Sequence, residues 1–199
     1  MRITPITAIL ALATSVVATR RVLFLTTDEL GQAGIHIATS QVLAESYQDV
    51  DVHVASFSGL KEIIESVSAR VINQTSSDHG ITFHTMQGRS PISTIEVTIN
   101  KTFQDLLHSP GYQAGLDFPK VAAHYALPYN IDAYHKIYES IVKIIHDVDP
   151  ILILIDTMLA PGVCAAQELD RDYVLFTPNA IKDVIMPQLG LEGLYKYPW

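Results

Sequence analysis

The side chains of this chain that could do chemistry gather in two places. The first is the run Thr26-Thr27-Asp28-Glu29-Leu30-Gly31-Gln32-Ala33-Gly34, with His36 just beyond it. Gln32 and His36 stand one helical turn apart, so a helix opening in this run presents both on one side. The second is Asp156, directly after the apolar run Ile151-Leu152-Ile153-Leu154-Ile155. A carboxylate there can orient a histidine and stabilise the imidazolium formed when the ring accepts a proton. Each place also has a plain structural reading. Asp28 caps the helix while His36 is merely exposed, and Asp156 is a helix N-cap or a turn residue.

Other chemistries find less support. Gly31 and Gly34 do not complete the three-glycine dinucleotide fingerprint, and the acidic pair Asp28-Glu29 repels a pyrophosphate, so no nicotinamide or flavin cofactor is expected. Asp147-Val148-Asp149 has the spacing of the metal-binding aspartates of one class of sugar-nucleotide enzymes. It falls in the last turn of a helix, before a strand, and reads as a solvated helix exit. The 8 histidines lie without i, i+4 pairing or carboxylate partners, so no zinc site is expected. There is no Gly-x-Ser-x-Gly elbow. Cys164, the single cysteine, excludes an intrachain disulfide and reads as a small buried hydrophobe in an apolar segment. The net charge of −8 and scattered basic residues, adjacent only at Arg20-Arg21, argue against a nucleic-acid partner.

The elements that must position these residues alternate. The hydrophobic fraction of 48% in 199 residues is ample for one core. Val22–Leu25 reads as a strand covered on both faces, Ala33–Glu45 as a helix with Ile35, Ala38 and Val42 on its apolar stripe, and Asp51–Phe57 as a second strand. Leu60–Ala69 reads as a helix and Ile81–Met86 as a third strand. From Gly88 to Asn130 prolines and glycines break the pattern, with a helix expected over Ile95–Leu107. Ile131, Tyr134, Tyr138, Ile141 and Ile145 then recur at helical spacing, with Glu139 and Lys143 paired on the outer face, and Pro150 stops the helix. Ile151–Ile155 reads as a strand buried on both faces, Pro161–Leu169 as a helix and Tyr173–Phe176 as the last strand. Such alternation predicts an α/β, doubly wound, mostly parallel Rossmann-like sheet. Ligands of such sheets lie beyond the carboxyl ends of the strands, here the loops Thr26–Gln32, Met86–Pro91 and Asp156–Pro161.

The amino terminus adds a location. Arg2 precedes an apolar stretch from Ile6 to Ala18 that ends in small residues, so residues 1–18 read as a signal peptide, with an apolar anchor on a cytoplasmic protein as the alternative. The sequons Asn73-Gln74-Thr75 and Asn100-Lys101-Thr102 favour the secretory route.

The segments VLFLTTDELGQAGIHIATSQVLAES, DVDVHVASF, FHTMQG and DVDPILILIDTMLAPGVCAAQELDRDYVLFTPN, in this order and spacing, resemble the N-terminal half of UDP-dependent glycosyltransferases. The likeness is greatest to fungal members of the family that includes UDP-glucosyl- and glucuronosyltransferases, and it runs from Val22 to Trp199. It implies a GT-B enzyme of two Rossmann-like domains, the N-terminal one binding the acceptor and the C-terminal one a UDP-sugar. The implied reaction is an inverting, metal-independent hexosyl transfer from the UDP-sugar co-substrate to a hydroxyl of a small-molecule or lipid acceptor. A histidine after the first strand takes the hydroxyl proton and an aspartate after a later strand holds that histidine. Asp156 falls at the aspartate's position. At the histidine's position plant members carry Gly-His where this chain has Gly31-Gln32, which makes His36, one turn on, the candidate base. Residues 20–199 are thus expected to be an acceptor-binding domain. Nothing after Asn179 resembles the donor-binding signature, so a fragment inactive alone, or one served by a separate donor-binding subunit, is expected. A non-catalytic ligand-binding or regulatory module of the same fold is the alternative.

Overall fold

The computed structural model describes residues 20–76, 79–99 and 128–178. The proposed signal peptide, the sequon at Asn100, residues 100–127 and the stretch from Asn179 onward lie outside the described residues.

Arg20–Leu25 forms β1, Leu30–Ser46 α1, Val50–Ser56 β2, and Lys61–Thr75 α2 after a short 3-10 turn. Ile81–Thr85 forms β3, Pro91–Ile99 α3, Ile131–Val148 α4, Leu152–Ile155 β4, Ala160–Glu168 α5 and Tyr173–Leu175 β5. The strands make one five-stranded sheet in the order β3-β2-β1-β4-β5. Every pairing is parallel, with Leu25 opposite both Ala55 and Ile155. The expected doubly wound parallel sheet is what the chain forms.

Local chemistry sets the helix ends. The Asn130 side chain accepts the Ala133 N–H at 2.8 Å and so begins α4, where Asp132 also complements the helix dipole. Asp149, in the left-handed region at φ 47, ends α4 one residue before Pro150. Pro161 occupies the first turn of α5, where its missing N–H costs nothing.

The core has two layers, one on each face of the sheet. Phe24, Val52 and Val54 meet Leu60, Ile64 and Val71 on the α1–α2 face. Leu23, Leu25, Ile153 and Ile155 meet Ile137, Ile141 and Ile145 on the α4–α5 face. Each such side chain, taken out of water, stabilises the fold by roughly 1.5–3 kcal/mol.

Several expectations about faces are corrected. The buried stripe of α1 is Ala33, His36, Ser40 and Ala44, and Val42 is exposed. Small residues let this helix lie close to the sheet, and the larger aliphatic ones are left outward. In α4 the buried residues are Ile137, Ile141, Ile144, Ile145 and Val148, while Ile131 at its first turn is 86% exposed. Lys143 pairs with Asp147, and Glu139 pairs with His135 instead of Lys143, so one histidine has a carboxylate partner at i, i+4 against the expectation of none. Ile151 precedes β4 and is exposed, and only Ile153 and Ile155 of that run are fully buried. The helix expected over Ile95–Leu107 begins earlier, at Pro91, and is described to Ile99.

Candidate functional site at the carboxyl edge of the sheet

The order of strands reverses at β1: the chain winds outward to β2 and β3, then returns to place β4 and β5 on the other side. Loops that leave adjacent strands in opposite directions open a crevice at their carboxyl ends. The loops that meet at this edge are the ones marked out from the sequence. The Thr26 hydroxyl donates to Asp156 Oδ2 at 3.1 Å, joining the loop after β1 to that after β4. The Ile92 N–H donates to Glu29 Oε1 at 3.1 Å, joining the same loop to the start of α3.

Asp156 is fully buried. Its Oδ1 accepts the Met158 N–H at 2.9 Å, a carboxylate-closed turn. Asp156 is therefore a turn residue and a buried charge at the switch point at once. The N-cap position of α5 belongs to Leu159.

His36 lies beneath α1, fully buried, with its ring edge-on to Phe24 and Phe176 at centroid distances of 6.1 and 5.1 Å. This corrects the reading of His36 as an exposed residue. Its Nε2 is 3.0 Å from the Phe176 carbonyl oxygen. A carbonyl only accepts, so Nε2 carries the hydrogen and Nδ1 the lone pair. Nδ1 is buried and has no partner among the described residues. Burial pushes the imidazole pKa below its ordinary value, and the Asp156 charge pulls it the other way. The structure thus brings His36 within electrostatic reach of Asp156 without a hydrogen bond between them.

Gln32 is half-buried in the first turn of α1, and its Oε1 is buried without a partner among the described residues. Gly31 is exposed, with open space where a Cβ would stand. Asp28 does not cap α1, since the N-cap residue is Glu29 and makes no side-chain cap bond to its own helix. Asp28 sits over the turn after β2 instead, where a Cβ on Gly59 would come within 2.7 Å of its Oδ2.

Two residues of this edge have roles that the sequence did not assign to them. The Glu29 backbone carbonyl accepts the Gln32 and Ala33 N–H groups and begins α1, while its side chain accepts at the start of α3. Burial pushes the Glu29 carboxyl pKa up. The Tyr129 hydroxyl is buried with no partner among the described residues, and burial together with the Glu29 and Asp28 charges holds its pKa high. Glu29 stands inside the run that the sequence marks out, but its partner Ile92 lies 63 residues away. Tyr129 sits in an irregular stretch and offered no signal. Tyr129 also lines a cleft of about 400 Å³ with Ile131, Tyr134, Tyr138 and Cys164. Cys164 is exposed there, not buried as expected, and its Sγ accepts from the Tyr134 hydroxyl at 3.0 Å.

The aspartates of the Asp147-Val148-Asp149 run are exposed and pair with Lys143 and Arg171 respectively, as a solvated helix exit does. Among the described residues no three His, Cys, Asp or Glu side chains are grouped to hold a metal ion, and no helix is long and apolar enough to cross a membrane.

A doubly wound parallel sheet with buried polar groups gathered at its switch point defines a Rossmann-like domain, and the ligands of such domains bind beyond the carboxyl ends of the strands. No protein-family model matches the chain. In sequence it is 26% identical over 183 residues to the glycosyltransferase sdnJ of Sordaria araneosa, across 89% of this chain and 36% of that protein. Among solved structures it superposes on the Streptomyces sp. SF2575 glycosyltransferase SsfS6 with a TM-score of 0.50 at 15% identity, over 89% of this chain and 46% of that one. The calicheamicin glycosyltransferase CalG4 gives a TM-score of 0.49 at 12% identity, over 87% and 38%. The fold is that of a GT-B-type Rossmann-like half-domain, and the sequence is related to a fungal glycosyltransferase. The chain spans about a third of the length of that curated relative.

Proposed function

We propose that this chain is the acceptor-binding half of a GT-B glycosyltransferase that transfers a hexosyl group from a UDP-sugar to an acceptor hydroxyl. The observation that carries this reading is the Thr26–Asp156 bond at the β1/β4 switch point, which joins two loops at the carboxyl edge beside a buried histidine. The hydroxyl oxygen of a small-molecule or lipid acceptor attacks the anomeric carbon, UDP departs with the bonding electron pair, and a side chain of this half takes the hydroxyl proton. Of the two ring nitrogens of His36 only Nδ1 is free to accept that proton, since Nε2 is committed to the Phe176 carbonyl. Asp156 would hold the resulting positive charge. The donor is held by a second domain or a separate subunit, and the reaction uses no metal. The route is secretory, with the exposed Asn73 of α2 as a glycan acceptor.

One observation favours a second reading. His36 has no exposed surface, and the residue at the expected base position is the amide Gln32. A module that kept the crevice and binds a ligand without chemistry fits both facts.

The deciding experiment joins these 199 residues to a donor-binding domain of a fungal relative and follows UDP release from UDP-glucose over a panel of hydroxylated acceptors. The first reading expects acceptor-dependent release by the joined protein, lowered at least about a hundredfold by His36→Asn or Asp156→Asn, as removal of general acid–base catalysis does. Acceptor binding without release, unchanged by either substitution, establishes the second reading and overturns the first.

A further inference from the structure

Away from the crevice, His53 of β2 and His84 of β3 face each other with Nδ1 and Nε2 2.9 Å apart. The strand register pairs His53 with Thr82 and Ala55 with His84, so the two rings are diagonal neighbours on one face of the sheet. Both are half-buried, with ring centroids 5.2 Å apart and planes tilted by 32°. A bond between two imidazole nitrogens needs one proton: two lone pairs repel, and so do two N–H groups. His53 Nε2 is buried without a partner among the described residues, so the least costly arrangement leaves a lone pair there. The shared proton then sits on His53 Nδ1 and points at His84 Nε2.

We propose that the His53–His84 pair is an acid-sensitive clasp that holds the edge strand β3 to β2 with one shared proton and opens when both rings are protonated. The charges around it do not absorb a second proton. Asp51 of β2 favours charge on His53, but Arg21 of β1 and His84 itself oppose it. Asp147 of α4 favours charge on His84, yet it is already bonded to Lys143 and stands near His146. His79, ahead of β3, lines the same polar recess as His53 and Asp51. Burial holds both rings below their ordinary pKa, His53 at about 4 with the His84 charge adding to the effect. A histidine whose folded pKa is lowered loses its share of stability as pH falls from about 6.5 toward the folded value.

The consequence reaches the carboxyl edge, because the chain after β3 runs to α3, which Glu29 joins to the loop after β1. The Met86 N–H donates to the Ser56 carbonyl at 2.8 Å, and the Gln87 N–H donates to Ser140 Oγ of α4 at 2.9 Å. Release of β3 frees the turn from which α3 starts. The proposal does not depend on the transferase reading, since it concerns the chain itself.

The test is amide hydrogen exchange on the intact chain at about pH 7 and about pH 5, with protection compared between β3 and β4 after correction for intrinsic exchange. The clasp predicts that β3 protection falls about tenfold more than β4 protection on acidification, the equivalent of one pKa unit of linkage. It also predicts that a His53→Gln/His84→Gln variant loses this difference. Equal falls in both strands, or a difference that survives in the variant, overturns it. Should the variant not fold, nitrogen NMR of the two wild-type rings decides. A His53 that charges only below about pH 5 supports the clasp, and two charged rings with β3 still protected at pH 6 defeat it.

Discussion

The hydroxyl of Thr26 donates to Oδ2 of Asp156 at 3.1 Å, across 130 residues of sequence, and neither side chain has any exposed surface. The bond closes the sheet at the point where its strand order reverses, between the carboxyl ends of β1 and β4. A buried carboxylate that loses one of its donors carries the desolvation cost without the compensation. Thr26→Val, which keeps the shape and removes the donor, is therefore expected to lower unfolding stability by about 1–3 kcal/mol. Urea denaturation of the two proteins measures this directly. A loss below about 0.5 kcal/mol, the scatter of ordinary surface changes, would mean that the bond contributes nothing to the fold.

Glu29 joins two helix starts through one residue. Its backbone carbonyl receives the first N–H groups of α1, and its carboxylate receives the Ile92 N–H at the first turn of α3. Removing a capping acceptor of this kind costs about 1 kcal/mol. Glu29→Ala should show that loss in thermal denaturation and expose the Ile92 amide to exchange. Glu29→Gln keeps an acceptor oxygen and should restore most of both. Failure of glutamine to restore the Ile92 amide would show that the charge, and not the hydrogen bond, holds α3 in place.

What could be read from the sequence was what local patterns determine. Val22–Leu25 and Ile151–Ile155 are apolar runs that have few alternatives to buried strands, and two of the three carboxyl-end loops followed from them, the third from Ile81–Met86. The face of α1 was misread because Ile35 and Val42 outweigh Ala33, Ser40 and Ala44 in hydrophobicity, whereas a helix close to a sheet needs small residues inward. The surroundings of His36 depend on Phe176, 140 residues away, and those of Glu29 on Ile92, 63 residues away. No spacing rule reaches such partners. Cys164 looked apolar by its neighbours, yet α5 turns Ala165 and Ala166 to the core and leaves the thiol outside.

His36 makes a prediction about acid. Its folded pKa is lowered chiefly by burial, so the unfolded chain binds the proton more readily, and stability is lost as pH falls below about 6.5. His36→Phe fills a similar space but leaves the Phe176 carbonyl without its donor. At neutral pH the variant should be less stable by about 1–3 kcal/mol, the cost of an unpaired buried acceptor. Its stability should also fall less steeply between pH 6.5 and 5 than that of the parent, because one titrating group is gone. Parallel pH curves for the two proteins would show that the buried ring does not titrate in this range.

The exposure of Cys164 gives the last prediction and a reporter for the cleft beside α4. A buried thiol reacts with a disulfide reagent only when the fold opens, whereas an accessible one reacts in the native state at a rate set by its surroundings. Cys164 lines the cleft with Tyr129, Tyr134 and Tyr138, and it is the single cysteine of the chain, so one signal reports on one place. The native protein should therefore release one equivalent of chromophore from a thiol-reactive disulfide without denaturant. Tyr134→Phe removes the hydroxyl that donates to Sγ and should change the labelling rate while leaving unfolding stability within about 0.5 kcal/mol, as expected of a change at a surface cleft. A small molecule that occupies the cleft should slow the reaction in proportion to its occupancy, which makes labelling rate a binding assay that needs no turnover. A thiol that stays unreactive until the protein is denatured would return Cys164 to the core and remove this cleft from the surface of the protein.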